Sequence, residues 1–494
     1  MKRKSQKSPV TDGFTPFFLP WRARLSALRR QLPRLDSSQP ILHQFEALFE
    51  RWLPHYLLCP TEQGLCSRQR QWPLRLTFWT FLAQVLSPGS ACRAAVRQAQ
   101  AHARLEDRPV PADEDSAYCQ ARARLPQEFL PECLQRVGRS LQQGVSSAQR
   151  WCGHVVKVLD ATTLTANDTP ANQKKFPQHP DQAPGCGFPL LRLAGLFCLA
   201  SGALLGWNTG DYWQSEMALA TTLWDLLAPG EVLLADRYYG CYRVLALVQA
   251  RGAHAVCRLH GSRRADLRRG QRLGPRDRLI TWTRPRAVPA GLSQAQWLTF
   301  PATLTVRVVR VRVEEKGFRT RTVTLVTTLL DAEKYPPSAL AALYRRRWKV
   351  ELSFRQIKTA LGMEHLAVRT PAMIQRALAM HLLAYQLIRA LMQEAAQTWD
   401  VPLERISFQG SVDAARPFGE ALLRARTKRQ RTQLLAELLR VLAADAVPER
   451  PNRSEPRLLK RRPKNYGRLE RPRQWYRRQA QRGRHADTRK KSRA

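Results

Sequence analysis

The sequence predicts a mixed α/β protein in which a layer of strands and helices follows an all-helical N-terminal region. Three observations carry this prediction. Up to about residue 144 the apolar residues recur at helical spacing, from residue 154 short β-branched runs alternate with helical segments, and a helical segment follows Pro336 and Pro337. A chain of 494 residues is too long for one ordinary core, so we expect about two to four structural units.

The N-terminal region is predicted to be helical from about residue 16 to residue 144, with short breaks at Pro or Gly. Two of its segments, residues 88–105 (PGSACRAAVRQAQAHARL) and 115–126 (DSAYCQARARLP), read as a short turn that enters a basic helix. Such helices fit a DNA-binding domain, but they also fit a helical cap that only packs on the rest of the protein. We favour DNA contact because the helices are basic.

The middle of the chain alternates strands with helices. We expect strands at residues 154–160, ending on Asp160, and at residues 231–237, with Asp236 near the end. The run 188–207 reads as two further strands joined by a turn. The other predicted elements are helices at residues 211–227 and 242–251 and a strand at residues 253–259. Strand ends at one edge of such a layer are where open α/β folds place their sites.

A basic, β-rich stretch interrupts this alternation at residues 258–327. Residues 258–286 hold ten arginines against two acids, Asp266 and Asp277. This excess of positive charge favours contact with a polyanion.

Two strands are predicted within this stretch, at residues 302–313 and 319–330, with a turn at residues 315–317. Apolar residues alternate with Arg and Thr, and the period slips at Val308 and Val309. We therefore expect one buried face and one strongly positive face, as in a β-rich insertion laid along a phosphate backbone.

Residues 344–362, YRRRWKVELSFRQIKTALG, are predicted to form one amphipathic helix. At about 100° per residue, a polar stripe about 60° wide contains Tyr344, Arg347, Glu351 and Lys358. Arg355 extends this stripe. A neighbouring apolar stripe contains Val350, Phe354, Ile357 and Leu361. A merely solvated face gives no reason for the only acid of the helix to lie between an arginine and a lysine, so we interpret the stripe as a metal-binding and phosphate-binding face.

Three acids stand out by position: Asp160, Asp236 and Glu351. Any one of them alone is more often a structural residue, but three carboxylates from separate elements can hold two Mg²⁺ ions about 3.5–4 Å apart. Such a pair activates a water or a 3′ hydroxyl and stabilises the leaving oxygen of a phosphodiester. Arg347 and Lys358 would then hold neighbouring phosphates, and the phenol of Tyr344 would bind a phosphate oxygen.

The charge balance favours a nucleic-acid partner. The chain has 81 Lys and Arg against 39 Asp and Glu, a formal net charge of +42. A basic tail at residues 450–494, with 18 Lys and Arg against 3 Asp and Glu, is expected to be disordered until it binds.

The remaining composition points to a reducing compartment. The ten cysteines form no C-x2-C pair, which argues against a zinc ribbon or a secreted disulfide framework. No apolar signal-peptide core follows the basic N-terminus, and the apolar run 190–207 reads as buried strands rather than a membrane span. We expect a cytoplasmic, nucleoid-associated protein that does not contact a membrane.

These residues resemble the insertion sequence 4 family of bacterial DDE transposases. The Tyr-x2-Arg-x3-Glu-x6-Lys series of residues 344–358 matches the family signature without a gap, and the resemblance runs from about residue 150 to residue 395. The further matching stretches are DTP at 168–170, GCGFP at 185–189, LLADRYY at 233–239, VTTLLDAEKYP at 326–336 and, in the tail, EPRLLKRRPKNY at 455–466.

The resemblance implies an RNase H-like core with a β-rich insertion before Glu351, and Asp160, Asp236 and Glu351 as the ligands of two Mg²⁺ ions, with Mn²⁺ as a substitute. It also implies cut-and-paste transposition by a 3′ nick, a hairpin on the transposon end, hairpin opening and strand transfer. Tyr344, Arg347 and Lys358 would handle the phosphates of the transposon end and the hairpin.

The chain departs from the family pattern at one position, and a second family feature, a base-stacking tryptophan, has two candidates here. Tyr238 stands where the family often has a small residue two positions after the second aspartate. In some relatives a tryptophan of the insertion stacks on a flipped base, and the candidates here are Trp282 and Trp297. We prefer Trp282 because basic residues flank it, although either could be a core residue.

Three lesser acids near the triad in sequence, Asp168, Asp211 and Glu216, are expected to have supporting or structural roles rather than to bind metal directly. Thr162 and Thr163 closely follow Asp160 and could orient it, or could serve only in a turn.

The sequence therefore predicts an active transposase that works as a homodimer on double-stranded DNA, namely the terminal inverted repeats and the target. A catalytically inactive, sequence-specific DNA-binding protein derived from a transposase is the alternative, and a nuclease that cannot join DNA is a third possibility. The predicted parts are a helical N-terminal domain (1–150), the first part of the core (151–260), the insertion (261–330), the second part of the core (331–400), a helical C-terminal region (401–449) and the basic tail (450–494).

Overall fold

The computed structural model describes residues 43–58, 71–105, 107–263, 266–312, 322–448 and 469–479. Some predicted features lie outside these residues: the turn at 315–317, the motif at 455–466 and most of the basic tail. Within the described residues, a large sheet and many helices form the mixed α/β architecture that the sequence predicts.

The N-terminal part is helical, as predicted. Its helices are α1 (Gln44–Phe49), α2 (Leu74–Val85), α3 (Cys92–Leu105), α4 (Asp115–Arg124) and α5 (Phe129–Gln143). In α5 the buried residues Leu130, Leu134, Val137 and Leu141 recur at helical spacing, so this face packs on the main core. Helices α3 and α4 instead surround a small core of their own, together with Trp72.

One sheet contains ten strands of the described residues. They are β1 (Val156–Ala166), β2 (Leu190–Cys198), β3 (Leu204–Asp211), β4 (Val232–Ala235), β5 (His254–Arg258), β6 (Gln271–Gly274), β7 (Asp277–Thr283), β8 (Thr303–Arg312), β9 (Thr322–Thr327) and β10 (His365–Leu366). The spatial order is β3-β2-β1-β4-β5-β9-β8-β7-β6, and β10 pairs with the end of β1. Strands β1, β4 and β5 run parallel, whereas β2 and β3 are antiparallel to their neighbours. The strands of the basic stretch thus extend the core sheet through the β5–β9 pair.

The remaining helices cover this sheet or follow it. They are α6 (Pro170–Lys175), α7 (Glu216–Leu219), α8 (Tyr242–Ala250), α9 (Gln294–Leu298), α10 (Pro337–Arg345), α11 (Trp348–Arg355), α12 (Pro371–Trp399), α13 (Phe408–Arg424) and α14 (Lys428–Ala444). The helix predicted at residues 211–227 is shorter than expected. Its first residue, Asp211, belongs to β3, residues 212–215 form a turn, and after α7 the segment continues as the 3₁₀-helix Thr221–Leu226.

The first predicted strand does not end on Asp160. Strand β1 continues to Ala166 because the Thr-rich residues after Asp160 keep pairing with β2, from Lys157 opposite Cys198 to Thr165 opposite Leu190. Asp160 is therefore a mid-strand residue.

Strand β8 does not have one apolar and one positive face. Its first half buries Leu304 and Val306 on one face of the sheet, and its second half buries Val309 and Val311 on the other. Between these halves Arg307 is also fully buried, so the slip seen in the sequence marks a change of buried face.

The segment 344–362 is not one helix. Helix α10 ends at Arg345 and α11 begins at Trp348, because the amides of Arg346 and Arg347 bond to carbonyls three residues back and tighten the chain. After α11 the residues Gln356–Ala360 form a π-helical turn. The predicted apolar stripe is nevertheless confirmed, since all four of its members are buried: Val350, Phe354, Ile357 and Leu361.

The long helix α12 fixes the β2–β3 turn. The side chain of Gln386 accepts a hydrogen bond from the Leu204 amide at 3.1 Å and donates one to the Leu204 carbonyl at 2.7 Å. Arg389 donates to the Ser201 carbonyl, and the Tyr385 hydroxyl donates to the Gly202 carbonyl at 2.7 Å. Among the described residues, no helix is both long and apolar enough to cross a membrane.

Candidate active site

Two of the three predicted acids lie at matching positions along two adjacent strands in the interior of the sheet. Strand β4 pairs in parallel with β1, with Val156 opposite Val232 and Val158 opposite Leu234. The same offset sets Asp160 opposite Asp236, which directly follows the last residue of β4. The backbone amide of Tyr238 donates to Asp236 Oδ1 at 2.8 Å, so the aspartate is held in a turn at the strand end.

Helix α11 brings the third acid to Asp160. The alternation of β1 puts Asp160 on the same face as Val158, and this face packs against the core that includes α11. One turn separates Arg347 from Glu351, and Arg347 Nη2 donates to Glu351 Oε1 at 2.9 Å. The other terminal nitrogen, Arg347 Nη1, lies 3.6 Å from Asp160 Oδ2. A single guanidinium thus lies between two of the acids.

The pKa of Asp160 reflects its burial and the charged groups around it. Burial, with smaller contributions from the charges of Asp236 and Glu351, raises the pKa of Asp160 to about 6. The Ala161 amide, which donates to Asp160 Oδ1 at 2.9 Å, and the Arg347 guanidinium act in the opposite direction.

The donor set suits a hard divalent cation, because carboxylate oxygens are the ligands that such ions prefer and because the acids raise the pKa of Asp160. Within the described ranges, however, no three His, Cys, Asp or Glu side chains converge closely enough to form a complete metal site. In this arrangement Arg347 is the cation next to Asp160 and Glu351.

The other polar residues of the predicted stripe are divided between elements. Lys358 reaches back to β1, where its Nζ donates to the Thr163 carbonyl at 3.0 Å and lies 3.4 Å from Thr162 Oγ1. These threonines therefore contact Lys358. Tyr344 lies on α10, beyond the break, and burial raises its pKa to about 12. Arg355 is exposed at the end of α11.

A fourth carboxylate lies near Asp236. Burial raises the pKa of Glu216, and the next cause is the charge of Asp236, while Arg192 lowers it. The other lesser acids have structural contacts: Asp211 Oδ1 accepts from the amides of Trp213 and Gln214. Asp168 lies beyond the end of β1 and accepts from the Gln173 side chain at 2.9 Å.

The sequence-based reasoning did not single out Arg192. It lies on β2 opposite Thr163, its guanidinium lies 4.8 Å from the centre of the Tyr212 ring, and Nη1 donates to the Gln214 carbonyl at 3.0 Å. The sequence did contain a sign of its special position, because Arg192 is the only charged residue in the apolar run 188–207.

The two tryptophans considered for base stacking are both buried. Trp282 has 7% of its surface exposed, and the guanidinium of Arg263 lies 4.0 Å from the centre of its ring. Trp297 packs in the same core, and its Nε1 donates to the Pro285 carbonyl. Tyr238 in contrast is 40% exposed, so its large side chain extends into solvent without displacing Asp236.

Part of the basic tail lies in a groove of about 830 Å³ at the far end of β1. Arg473 and Arg477 of the tail line this groove together with Arg369 and Asp168. Residues 473–479 are helical; that the tail is disordered until it binds stays a prediction.

The chain is similar to known transposases. Residues 151–387 match the family model described as a transposase DDE domain. The transposase InsG for insertion sequence element IS4 of Escherichia coli strain K12 is 26% identical over 425 residues, which cover 83% of this chain and 90% of that protein. A solved structure of the piggyBac transposase synaptic complex with hairpin DNA covers 80% of this chain and 84% of its own, at 9% identity and a TM-score of 0.38. A likeness of this size carries no conclusion about the fold.

Proposed function

We propose that this chain, which belongs to the DDE transposases of the insertion sequence 4 type, moves its insertion sequence by a cut-and-paste mechanism. It would cleave the transposon ends in a metal-dependent reaction, pass through a hairpin on each end, and transfer the strands into target DNA. The observation that carries the proposal is the meeting of Asp160 and Asp236 on adjacent parallel strands, with Glu351 joined to Asp160 through Arg347.

In this proposal Asp160, Asp236 and Glu351 hold two divalent ions, Mg²⁺ with Mn²⁺ as a substitute. The bound ions supply Lewis acidity at the scissile phosphodiester. The three carboxylates come from two strands and one helix, so the β1–β4 pairing and the packing of α11 set their separation. The first five strands, in the order β3-β2-β1-β4-β5, would be the RNase H-like core.

Arg347 would change partners when DNA binds. Its side chain is half-buried beside the carboxylates of Asp160 and Glu351, and in the proposed complex it would bind a phosphate of the transposon end. Tyr344 stays protonated because burial raises its pKa to about 12, so its hydroxyl can donate to a phosphate oxygen. Lys358 and the exposed Arg355 extend the positive surface along the same segment.

A base-stacking role for Trp282 would require Arg263 to leave the face of its ring. The formal charge of +42 supports binding to double-stranded DNA at the terminal repeats and the target. We further propose that two copies bridge two transposon ends and that the protein acts on the nucleoid in the cytoplasm.

The test is cleavage of a labelled duplex that carries the element's own terminal repeat, with Mg²⁺ present. Wild-type protein is expected to give a nick and a hairpin, and Glu351→Gln is expected to bind the duplex without cleaving it. Glu364→Gln, which changes an exposed carboxylate thirteen residues further along the chain, is the matched control and should cleave normally. Binding without cleavage by every form, the wild type included, would instead identify an inactive DNA-binding protein.

A further inference from the structure

Two cysteines of the N-terminal helices lie together, far from the acid site in the sequence. Cys92 is the first residue of α3 and Cys119 is in the middle of α4. These helices surround the small core that is separate from the main core of the protein. The pair is therefore a feature of one local helical unit.

A single guanidinium nitrogen contacts both sulfur atoms. Arg122 Nη2 lies 3.0 Å from Cys92 Sγ and 3.5 Å from Cys119 Sγ. Gln84 contacts both Cys92 and Arg122. Its Nε2 lies 3.7 Å from Cys92 Sγ, and its Oε1 accepts a hydrogen bond from Arg122 Nη1 at 3.2 Å. Arg122 itself is buried, with 7% of its surface exposed.

The surroundings make the two thiols unequal. A hydrogen bond from Cys119 and the charge of Arg122 lower the pKa of Cys92 to about 5, although burial opposes them. The same hydrogen bond and burial raise the pKa of Cys119. The contacts thus favour the thiolate at Cys92 and the neutral thiol at Cys119, which is the combination of a reactive and a resolving cysteine.

We propose that Cys92 and Cys119 form a peroxide-reactive dithiol that closes to an intramolecular disulfide. Cys92 thiolate attacks one oxygen of hydrogen peroxide, the O–O bond breaks, and the products are Cys92 sulfenic acid and hydroxide. Cys119 sulfur then attacks the sulfenic sulfur, and its thiol proton leaves with the displaced hydroxyl as water. Overall, two thiols lose two electrons to one peroxide. Both side chains are partly exposed, so a molecule of this size can reach them.

The disulfide has a structural consequence for the helical unit. It links the start of α3 to the middle of α4, and it removes the thiolate that balances the charge of Arg122. Because Arg122 remains buried, the oxidised unit contains an uncompensated guanidinium and its packing must change. The inference is independent of the proposed function.

The test uses the reduced full-length chain, treated with one equivalent of hydrogen peroxide, quenched by alkylation and mapped by peptide mass spectrometry. The expected result is a peptide pair that links Cys92 to Cys119 and disappears with dithiothreitol. Cys92→Ser should abolish the link. Cys119→Ser should leave Cys92 as a sulfenic acid that a dimedone probe labels. Cys152→Ser removes an exposed cysteine outside the pair and should leave the link intact.

A second measurement does not depend on a substitution. The rate at which iodoacetamide alkylates Cys92 in the wild type should be half-maximal near pH 5, and Arg122→Gln should move this midpoint upward. A midpoint near the ordinary thiol value of about 8.5 would overturn the proposal. So would peroxide treatment that oxidises Cys152 and leaves Cys92 and Cys119 open to alkylation.

Discussion

Arg307 on β8 and Arg347 at the start of α11 both face carboxylates, and they differ in burial and in how fully their donors are satisfied. Arg307 has no exposed side-chain surface and binds both oxygens of Asp277, through Nε at 2.9 Å and Nη2 at 2.5 Å. Its Nη1 donates to the carbonyls of Asp331 and Tyr335. Every nitrogen of this guanidinium has an acceptor.

Arg347 is arranged differently. It donates to Glu351, but its distance of 3.6 Å to Asp160 is too long for a hydrogen bond, and its Nε is buried with no hydrogen-bond partner. Arg307 therefore completes a structural pair, whereas Arg347 retains unused donors next to two carboxylates. That is the condition expected of a residue that binds something else.

The largest expected effect comes from removing the satisfied arginine. Arg307→Gln leaves the buried Asp277 without a counter-charge, which should lower the free energy of unfolding by about 3–5 kcal/mol. Urea unfolding measures this loss. Arg310→Gln, an exposed arginine of the same strand, is the control, and equal losses in the two variants would contradict the distinction drawn here.

Removing the unsatisfied arginine should affect activity rather than stability. If Arg347 binds a phosphate in the proposed reaction, Arg347→Gln should reduce cleavage of the terminal repeat by about 10²–10³-fold. Its unfolding free energy should change by less than that of Arg307→Gln. Single-turnover cleavage and urea unfolding of the same preparation check both statements, and cleavage within threefold of the wild type would remove the assigned role.

The Arg307 pair can be tested further by replacing both partners. The double variant Arg307→Leu/Asp277→Leu buries no charge. It should therefore be more stable than either single variant, Arg307→Leu or Asp277→Leu. The carbonyls of Asp331 and Tyr335 still lack a donor, and we expect about 1–3 kcal/mol of loss to remain. Chemical unfolding of the two single variants and the double variant completes the cycle. A double variant no more stable than the single ones would show that the pair is not the source of the loss.

The smallest effect is expected at an exposed pair. Arg440 and Glu437 form a salt bridge at 2.8 Å on the surface of α14. Arg440→Ala should change the unfolding free energy by no more than about 1 kcal/mol, since water and salt screen this pair. A loss as large as that of Arg307→Gln would mean that burial does not determine how much an ion pair contributes to the free energy of unfolding.

The sequence could single out the three candidate acids because their positions follow from local patterns. Asp236 ends a short apolar strand, and Arg347 and Glu351 are four residues apart on one helix. The extent of β1 could not be predicted in this way, because the strand continues past Asp160 only where β2 pairs with it, some thirty residues further along the chain. The break before Trp348 was also missed, since hydrophobic periodicity continues across it.

The burial of Arg307 shows the same limit. Alternation along β8 predicts an arginine on a positive face, but its partner Asp277 is thirty residues away on β7. The sequence did contain a signal, since Asp277 is one of only two acids among the ten arginines of residues 258–286. The pairing of Asp277 with Arg307 can be inferred only when the register of β7 against β8 is known.

The continuity of the sheet also has a mechanical consequence. Strand β8 is hydrogen-bonded to β9, β9 to β5, and β5 to β4, so three ladders separate β8 from the strand that directly precedes Asp236. A load applied to β6, β7 or β8 would travel across these ladders as twist, because a hydrogen-bonded sheet is much stiffer in its plane than a loop. The arginine-rich edge would then act as a lever arm on the acid site, and the tension of a bent duplex could alter the spacing of its carboxylates.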